Sequence, residues 1–213
     1  MKSGILVREA CVESLSESVL AEKCGANRLE LCADLASDGL TPSKELLKSV
    51  LETVNIPIKV MIRPRGGDFN YSDAELKQME EEIAYCKTTG VLGVVFGITT
   101  DENELDIAKI KHLAQLAKPM NVTVHKAIDS VNDTWSDFQR LYNEVPEVDA
   151  VLTSGGEPTA KDGAALLRKM TELGGEKLKV VVAGKVTNEN IEDLQKLIGS
   201  TEYHGKKIVG ELH

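Results

Sequence analysis

Eight short apolar segments alternate with amphipathic helical segments along this chain of 213 residues, and that alternation constrains its fold more than any other feature. Intervals of roughly 23 to 35 residues separate the apolar segments, about the length that one strand–helix unit occupies. We predict strands that begin near residues 5, 28, 57, 92, 121, 149, 178 and 202. Strict alternation of strands and helices predicts a parallel β/α architecture.

Eight is the number of strands that closes a TIM (β/α)8 barrel. A doubly wound open sheet is the alternative, but it usually has fewer strands and commonly carries a glycine fingerprint after the first strand. Residues 11–18, which follow the start of the first strand here, read CVESLSES and contain no glycine. We therefore predict a single TIM-barrel domain over residues 1–213, in which Ser72 and Asn188 cap two of the helices.

The end of the chain departs from a regular barrel. Only nine residues, GKKIVGELH at 205–213, follow the eighth predicted strand near Glu202 to His204. Because this is too short for a normal closing helix, we predict that the last helix is short or missing. Either the tail itself or a neighbouring subunit would then cover the apolar wall, and the second possibility predicts a homo-oligomer.

Charge and composition exclude several classes of protein. The chain is 42% hydrophobic and 28% charged, and its formal net charge of −9 argues against a nucleic-acid or anionic-membrane partner. No apolar run approaches the ~20 residues that span a bilayer, and residues 1–15 lack the pattern of a signal peptide. The expected location is the cytoplasm, where four cysteines without C-x-x-C spacing are expected to be reduced thiols.

Polar side chains stand at the carboxyl ends of the predicted strands, where barrel enzymes hold their sites. In the second strand Leu29 and Leu31 face the helices, so that Glu30 and Cys32 face the barrel interior. The other candidates at strand ends are Glu9, Cys11, Arg63, Arg65, Thr123, His125, Asp129, Thr153, the turn 183–185 and His204. We expect these groups to converge on one mouth of the barrel.

Two E-x-C pairs on neighbouring strands place the thiols of Cys11 and Cys32 side by side. Paired thiolates are soft ligands that suit Cu(I), which needs only two of them. The alternative is that both cysteines simply fill space, as buried free cysteines often do. Cys24 and Cys86 lie on predicted helices and are expected to pack there.

Arginine and histidine at the ends of the third and fifth strands indicate an anion-binding or acid–base site. Arg63, Arg65 and His125 could grip a carboxylate or phosphate, and the alternative is a structural ion pair with Glu9 or Glu30. Backbone N–H groups of two glycine-containing turns could hold a phosphate, or could only form tight turns. The residues of these turns are Thr153, Ser154, Gly155, Gly156 and Gly184.

With these motifs the chain resembles the CutC family of copper homeostasis proteins. The matching segments are EACVESL at 9–15, NRLELCADLASDGLTPS at 27–43, VMIRPRGGDFNYSDAEL at 60–76, GVVFGITT at 93–100, VHKAID at 124–129, VLTSGG at 151–156, VTNENI at 186–191 and HG at 204–205. They follow one another over nearly the whole chain, and the second and third are long enough to be highly specific.

The resemblance implies a TIM barrel, a cytoplasmic location and a role in copper handling. Two cysteines near the barrel mouth are the proposed Cu(I) ligands of the family, and they match Cys11 and Cys32 here. The chain departs from the family at Lys126, where arginine is usual, and at 183–185, where AGK replaces a run of glycines. The second departure weakens the expectation of a phosphate site, and a short carboxyl-terminal helix is a third difference.

Two functions are compatible with these residues. In the first, the chain is a copper-binding protein that holds Cu(I) between Cys11 and Cys32, with Glu9 and Glu30 tuning the pocket and no organic cofactor. In the second, it is a barrel enzyme that acts on a small phosphorylated or carboxylated metabolite. Arg63 would orient the anion, His125 or Glu30 would move a proton, and the anion-binding set would comprise Glu9, Arg65, Asp129, Thr153, Ser154, Gly155, Gly156 and Gly184.

Overall fold

The computed structural model describes residues 6–212 and shows eight parallel strands that close into a barrel in sequence order. The strands are β1 (Val7–Val12), β2 (Arg28–Leu31), β3 (Ile58–Met61), β4 (Gly93–Phe96), β5 (Asn121–Val124), β6 (Ala150–Thr153), β7 (Lys179–Val182) and β8 (Glu202–Gly205). The pairing of β8 with β1, in which Glu9 lies opposite His204, closes the ring and excludes an open sheet. Seven of the predicted strand starts are correct to within one residue, and the start near residue 5 lies outside the described residues.

Helices follow seven of the eight strands within residues 6–212. They are α1 (Leu15–Lys23), α2 (Lys44–Thr53), α3 (Asp73–Cys86), α4 (Ile107–Ala117), α5 (Thr134–Glu144), α6 (Ala164–Gly174) and α7 (Ile191–Ile198). Ser72 caps α3 as predicted, in a reciprocal capping box with Glu75. The cap predicted at Asn188 is wrong, because its N–H bonds the Lys207 carbonyl and α7 begins only after Asn190. In this part of the chain, none of the helices has the length and apolarity to cross a membrane.

Side-chain alternation separates a helix-facing core from the barrel interior. Leu29 and Leu31 of β2 and Val60 of β3 are at most 1% exposed and belong to the large apolar cluster between barrel and helices. Glu30 and Lys59, which alternate with them, are also buried but face inward. The interior is therefore partly polar, and this arrangement directs ionisable groups toward the axis of the barrel.

The chain after β8 forms no helix as far as Leu212, which agrees with the prediction of a short or missing last helix. Instead the tail packs on the barrel: Ile208 is 0% exposed and joins the same apolar cluster as Tyr203 and Ile198. A bridge between Thr187 and Lys207 fixes the tail beside the segment that leads into α7. Of the two coverings considered from the sequence, the tail is the one that the described residues show.

Candidate functional site

A cavity of about 790 Å³ opens at the carboxyl ends of the strands. It brings together groups from widely separated parts of the sequence, as strand-end chemistry in a barrel requires. The predicted residues that line it are Cys11, Glu30, Cys32, Arg63, His125, Asp129, Gly184 and His204. The expectation of a common mouth is therefore met for most of the set, and the exceptions are Glu9, Arg65, Thr123 and the turn after β6.

The two thiols lie side by side at the base of this cavity. Cys11 and Cys32 are 8% and 0% exposed, and their Sγ atoms are 3.9 Å apart. Each Sγ lies 3.6 Å from Oε2 of Glu30. The register of the sheet produces this cluster, because Cys11 pairs with Glu30 and the N–H of Cys32 bonds the Val12 carbonyl.

His204 on β8 joins the thiols and was not among the predicted metal ligands. Its Nδ1 lies 2.9 Å from Oε1 of Glu9, and its Nε2 lies 3.5 Å from Oε2 of Glu30. One ligand atom each from Cys11, Glu30 and His204 lies within 4.8 Å of the others. Oε1 of Glu30 is buried without a hydrogen-bond partner, so the cluster retains an unpaired polar atom.

The two cysteines differ in acidity despite their similar surroundings. The S–H of Cys32 hydrogen-bonds the sulfur of Cys11, and this bond, helped by His204, outweighs burial and lowers the pKa of Cys11 to about 5. The same bond and burial raise the pKa of Cys32 well above its ordinary value. At neutral pH the pair is therefore one thiolate and one thiol, which is a single net negative charge on sulfur.

The acid–base state of the neighbours follows from burial and charge. Burial raises the pKa of Glu30 to about 8 against the opposing charge of His204. Burial would lower the pKa of His204, but Glu30 and the bonds to Cys11 and Glu9 raise it well above its ordinary value. An imidazolium thus lies between Glu9 and the thiolate at neutral pH.

A second layer of charges lies below the cavity and supports it. Glu9 is 0% exposed and pairs with Nε of Arg28, with Nζ of Lys59 at 3.5 Å and with His204. Arg28 reaches Glu202 at 2.7 Å, while Lys59 donates to Thr123 at 2.8 Å.

Burial would raise the pKa of Glu9, but the charges of Lys59 and Arg28 and the His204 bond lower it well below its ordinary value. The oxygens of Glu9 are fully engaged by these three partners. This corrects the expectation that Glu9 binds a substrate anion, because it has no oxygen or charge left for a ligand.

His125 and Arg63 form another part of the cavity wall. His125 is 3% exposed, and its Nδ1 accepts the N–H of Ala127 at 3.1 Å. Burial and the charge of Arg63 lower the pKa of His125 to about 3, so that the imidazole is neutral. Arg63 binds backbone carbonyls instead of the Glu9 or Glu30 carboxylates that an ion pair would need.

The turn after β6 is engaged by a carboxylate of the chain itself. Asp129 accepts bonds from the Thr153 hydroxyl, from the N–H and hydroxyl of Ser154 at 2.9 Å, and from the N–H of Gly156 at 2.9 Å. The N–H of Gly155 bonds the Thr153 hydroxyl. This corrects the expectation of a phosphate site there, because Asp129 already occupies the donors that a phosphate would use.

Arg65 also lies away from the cavity. Its Nε pairs with Glu75 at 2.6 Å and its Nη2 with Asp68 at 2.9 Å, while its remaining donors reach backbone carbonyls. The expectation that Arg65 grips a ligand is corrected in the same way, because its guanidinium has surface partners. Gly184 does line the cavity, and its φ of +98° and close approach to Ser154 explain why a glycine stands there.

The arrangement fits a soft metal ion at the thiols. An ion bridging two thiolates at a typical metal–sulfur distance of about 2.3 Å holds its sulfurs at most about 4.6 Å apart. The Sγ separation of 3.9 Å lies within that limit. After loss of its proton, His204 or Glu30 is close enough to add a ligand.

Comparison with known proteins gives one consistent family. A sequence model described as the CutC family matches residues 6–209. The human protein named "Copper homeostasis protein cutC homolog" is 38% identical over 202 residues, which cover 95% of this chain and 73% of that protein. The crystal structure of the CutC protein from Streptococcus agalactiae has a TM-score of 0.88 and 29% identity, covering 96% of this chain and 100% of that one.

More distant structures share the barrel alone. An N-acetylneuraminate lyase from Proteus mirabilis has a TM-score of 0.70 at 9% identity, covering 95% of this chain and 70% of that one. At that identity the similarity shows the fold and says nothing about the reaction.

Proposed function

The chain belongs to the CutC family of copper homeostasis proteins, and from this premise we propose that it binds Cu(I) through Cys11 and Cys32 at the mouth of the barrel. The observation that carries the proposal is the pair of buried sulfurs 3.9 Å apart. Thiolates are the ligands that Cu(I) prefers over oxygen and nitrogen donors.

Copper binding would change the protonation of the cluster. Cys11 offers a thiolate already, whereas Cys32 has to lose its proton because only the thiolate coordinates a metal strongly. Glu30, which lies 3.6 Å from both sulfurs, tunes the charge of the pocket, and Glu9 does so through His204.

Anaerobic titration with Cu(I) tests this proposal directly. We expect one tightly held copper per chain when a chromogenic Cu(I) chelator competes for the metal. Bound copper should also protect Cys11 and Cys32 from iodoacetamide in partly unfolded protein, while the exposed Cys24 is alkylated in either case. A protein that loses all its copper to the chelator, or that shows no protection of the pair, would contradict the proposal.

A second candidate function is an enzyme that acts on a small anionic metabolite. The observation in its favour is the cavity itself, since about 790 Å³ is far more space than one ion needs and matches small-molecule sites. Arg63 would orient the anion and His125 or Glu30 would take part in proton transfer. Screening phosphorylated and carboxylated metabolites for thermal stabilisation tests it, and stabilisation by none of them would remove its support.

We also propose a cytoplasmic location and self-association. A reducing compartment keeps the thiol pair available for copper. Ile208 of the tail already packs on the wall after β8, so self-association is not needed to cover that part of the wall. Sedimentation at micromolar concentration measures it, and a stable monomer would contradict it.

A further inference from the structure

We propose that His125, Arg63 and Phe69 form a subsite that binds the carboxylate of a small organic acid, whose apolar body occupies the remaining cavity. We call these three residues the carboxylate subsite. The inference deepens the second candidate function, since it names the substrate class, and it does not depend on copper binding.

The first donor of the subsite is Nε2 of His125. Because Nδ1 accepts the N–H of Ala127 at 3.1 Å, the proton of the neutral ring is on Nε2. That Nε2–H is buried and has no partner, although the ring lines the cavity. The ring packs closely on Gly97, where a Cβ would lie 2.6 Å from Nδ1. The ring thus carries a buried, unused donor at the wall of the cavity.

The second donor is the guanidinium of Arg63, which is only 3% exposed. Its Nη1 donates to Ser37 at 2.8 Å and to Gly39 at 3.2 Å, and its Nη2 donates to Gly67 at 2.9 Å. Nε has no partner, and the part of the chain from 6 to 212 places no carboxylate within ion-pair distance. A buried cation without an anion is costly, so an incoming carboxylate would supply the missing charge.

Phe69 packs against both donor residues. Its ring centroid lies 4.9 Å from that of His125 and 4.8 Å from Cζ of Arg63. The mouth of the cavity, like Arg63, carries positive charge. Among the described residues that line it, basic side chains outnumber acidic ones. The basic ones are Arg63, Lys126, Lys185, Lys206 and Lys207, and the acidic ones are Glu30, Asp38 and Asp129. This local excess of positive charge, on a chain of net charge −9, attracts anions to the cavity.

The donor set fits a carboxylate better than a phosphate. The two unused N–H donors, one on His125 and one on Arg63, equal in number the two oxygens of a carboxylate, whereas a phosphate presents three. The backbone donors that could serve a third oxygen, at Ser154 and Gly156, are bound to Asp129. The rest of the cavity supplies apolar surface for an organic body, from Leu35, Met61, Leu152 and Val186.

Benzoate, its neutral isostere benzamide, and inorganic phosphate are suitable probes for the intact protein. We expect calorimetry to show millimolar benzoate binding, with benzamide and phosphate at least tenfold weaker. H125F keeps a ring against Gly97 but lacks the donor, so its benzoate affinity should fall about tenfold, as expected for one charge-assisted hydrogen bond. H125Q retains an Nε2–H donor and should lose less. H112F, at an exposed histidine of α4, is the matched control and should bind as the parent does.

A measurement on the parent protein covers the case in which H125F folds poorly. Benzoate should shift the nitrogen resonance of His125 Nε2 and leave that of His112 unchanged. Equal binding of benzoate and benzamide, no binding of either, or unchanged affinity in H125F would overturn the subsite. Tighter binding of phosphate would overturn it too, while leaving the broader proposal of an anionic substrate in place. Copper stoichiometry in H125F should stay at one per chain, which separates this test from the copper proposal.

Discussion

Replacing both Cys11 and Cys32 with serine should lower the affinity for Cu(I) by about a thousandfold or more, as measured by competition against a Cu(I) chelator. The expectation follows from the hard hydroxyl that replaces each soft thiolate. Outer-shell changes alone cost roughly 10–100-fold in metal affinity, so losing both direct ligands should cost more. Each single variant should also lose stoichiometric binding, because one sulfur remains without its partner 3.9 Å away.

The other two cysteines provide matched controls for this experiment. Cys24 is exposed at the end of α1, and Cys86 is buried on α3 and does not line the cavity. Their serine variants change the thiol count equally but should bind Cu(I) as the parent does. Parent-like copper affinity in the Cys11/Cys32 double variant would rule out the thiol pair as the site.

Replacing Glu9 with glutamine should destabilise the barrel by about 3–5 kcal/mol, the range for breaking one side of a buried ion pair. The carboxylate is 0% exposed and neutralises Arg28 and Lys59 from within the barrel. Glutamine has nearly the same shape, so the loss would come from charge and not from packing. Urea denaturation at pH 7 measures the free energy of unfolding, and a loss under about 1 kcal/mol would contradict the prediction.

The stability difference between the parent and the Glu9→Gln variant should also depend on pH. The folded-state pKa of Glu9 is below its ordinary value, which is about 4.3 in an unfolded chain. The stability that Glu9 contributes is therefore fully present above that unfolded value and is lost as the pH falls through the folded pKa. The difference in unfolding free energy between the parent and E9Q should be largest near neutral pH and shrink in acid.

E52Q is a control at the surface. Glu52 has a 66% exposed side chain and lies 3.9 Å from Lys48, so its loss should change stability by less than about 0.5 kcal/mol. A similar loss in both variants would show that removal of a negative charge matters by itself, whatever its location.

The barrel could be predicted because its cause is local and repeated. Each strand is a short apolar run and each helix an amphipathic one, so eight repetitions determine both the number and the direction of the strands. The failed cap at Asn188 has a tertiary cause, since the tail bonds its N–H and delays the start of α7.

The residues of the candidate site could be predicted only where the alternation of side chains along a strand determines whether they face inward. Alternation places Glu30, Cys32 and Arg63 inward, and the register of the barrel then brings Cys11 to Glu30. Strand parity also predicted that Glu9 faces the barrel interior, but it does not tell how deep along the barrel a side chain lies. Glu9 lies one layer below the cavity.

The other features of the site depend on contacts between loops and between residues far apart in the sequence. Nothing in the sequence shows that Asp129 binds the turn at Ser154, because that bond depends on how two loops meet. Arg65 follows β3 and lies in a loop, where its guanidinium forms an ion pair with Glu75 of α3. The position of His204 on β8 was the signal in the sequence that could have identified it. Its contact with Glu9 across the closing pair of strands is visible only in the structure.

X-ray absorption at the copper edge of the Cu(I)-loaded protein tests the copper site most directly. We predict two sulfur neighbours near the roughly 2.3 Å typical of metal–thiolate bonds, both lost when Cys11 and Cys32 are replaced by serine. A first shell made only of nitrogen and oxygen, or sulfur neighbours that persist in the double variant, would contradict copper binding at this pair.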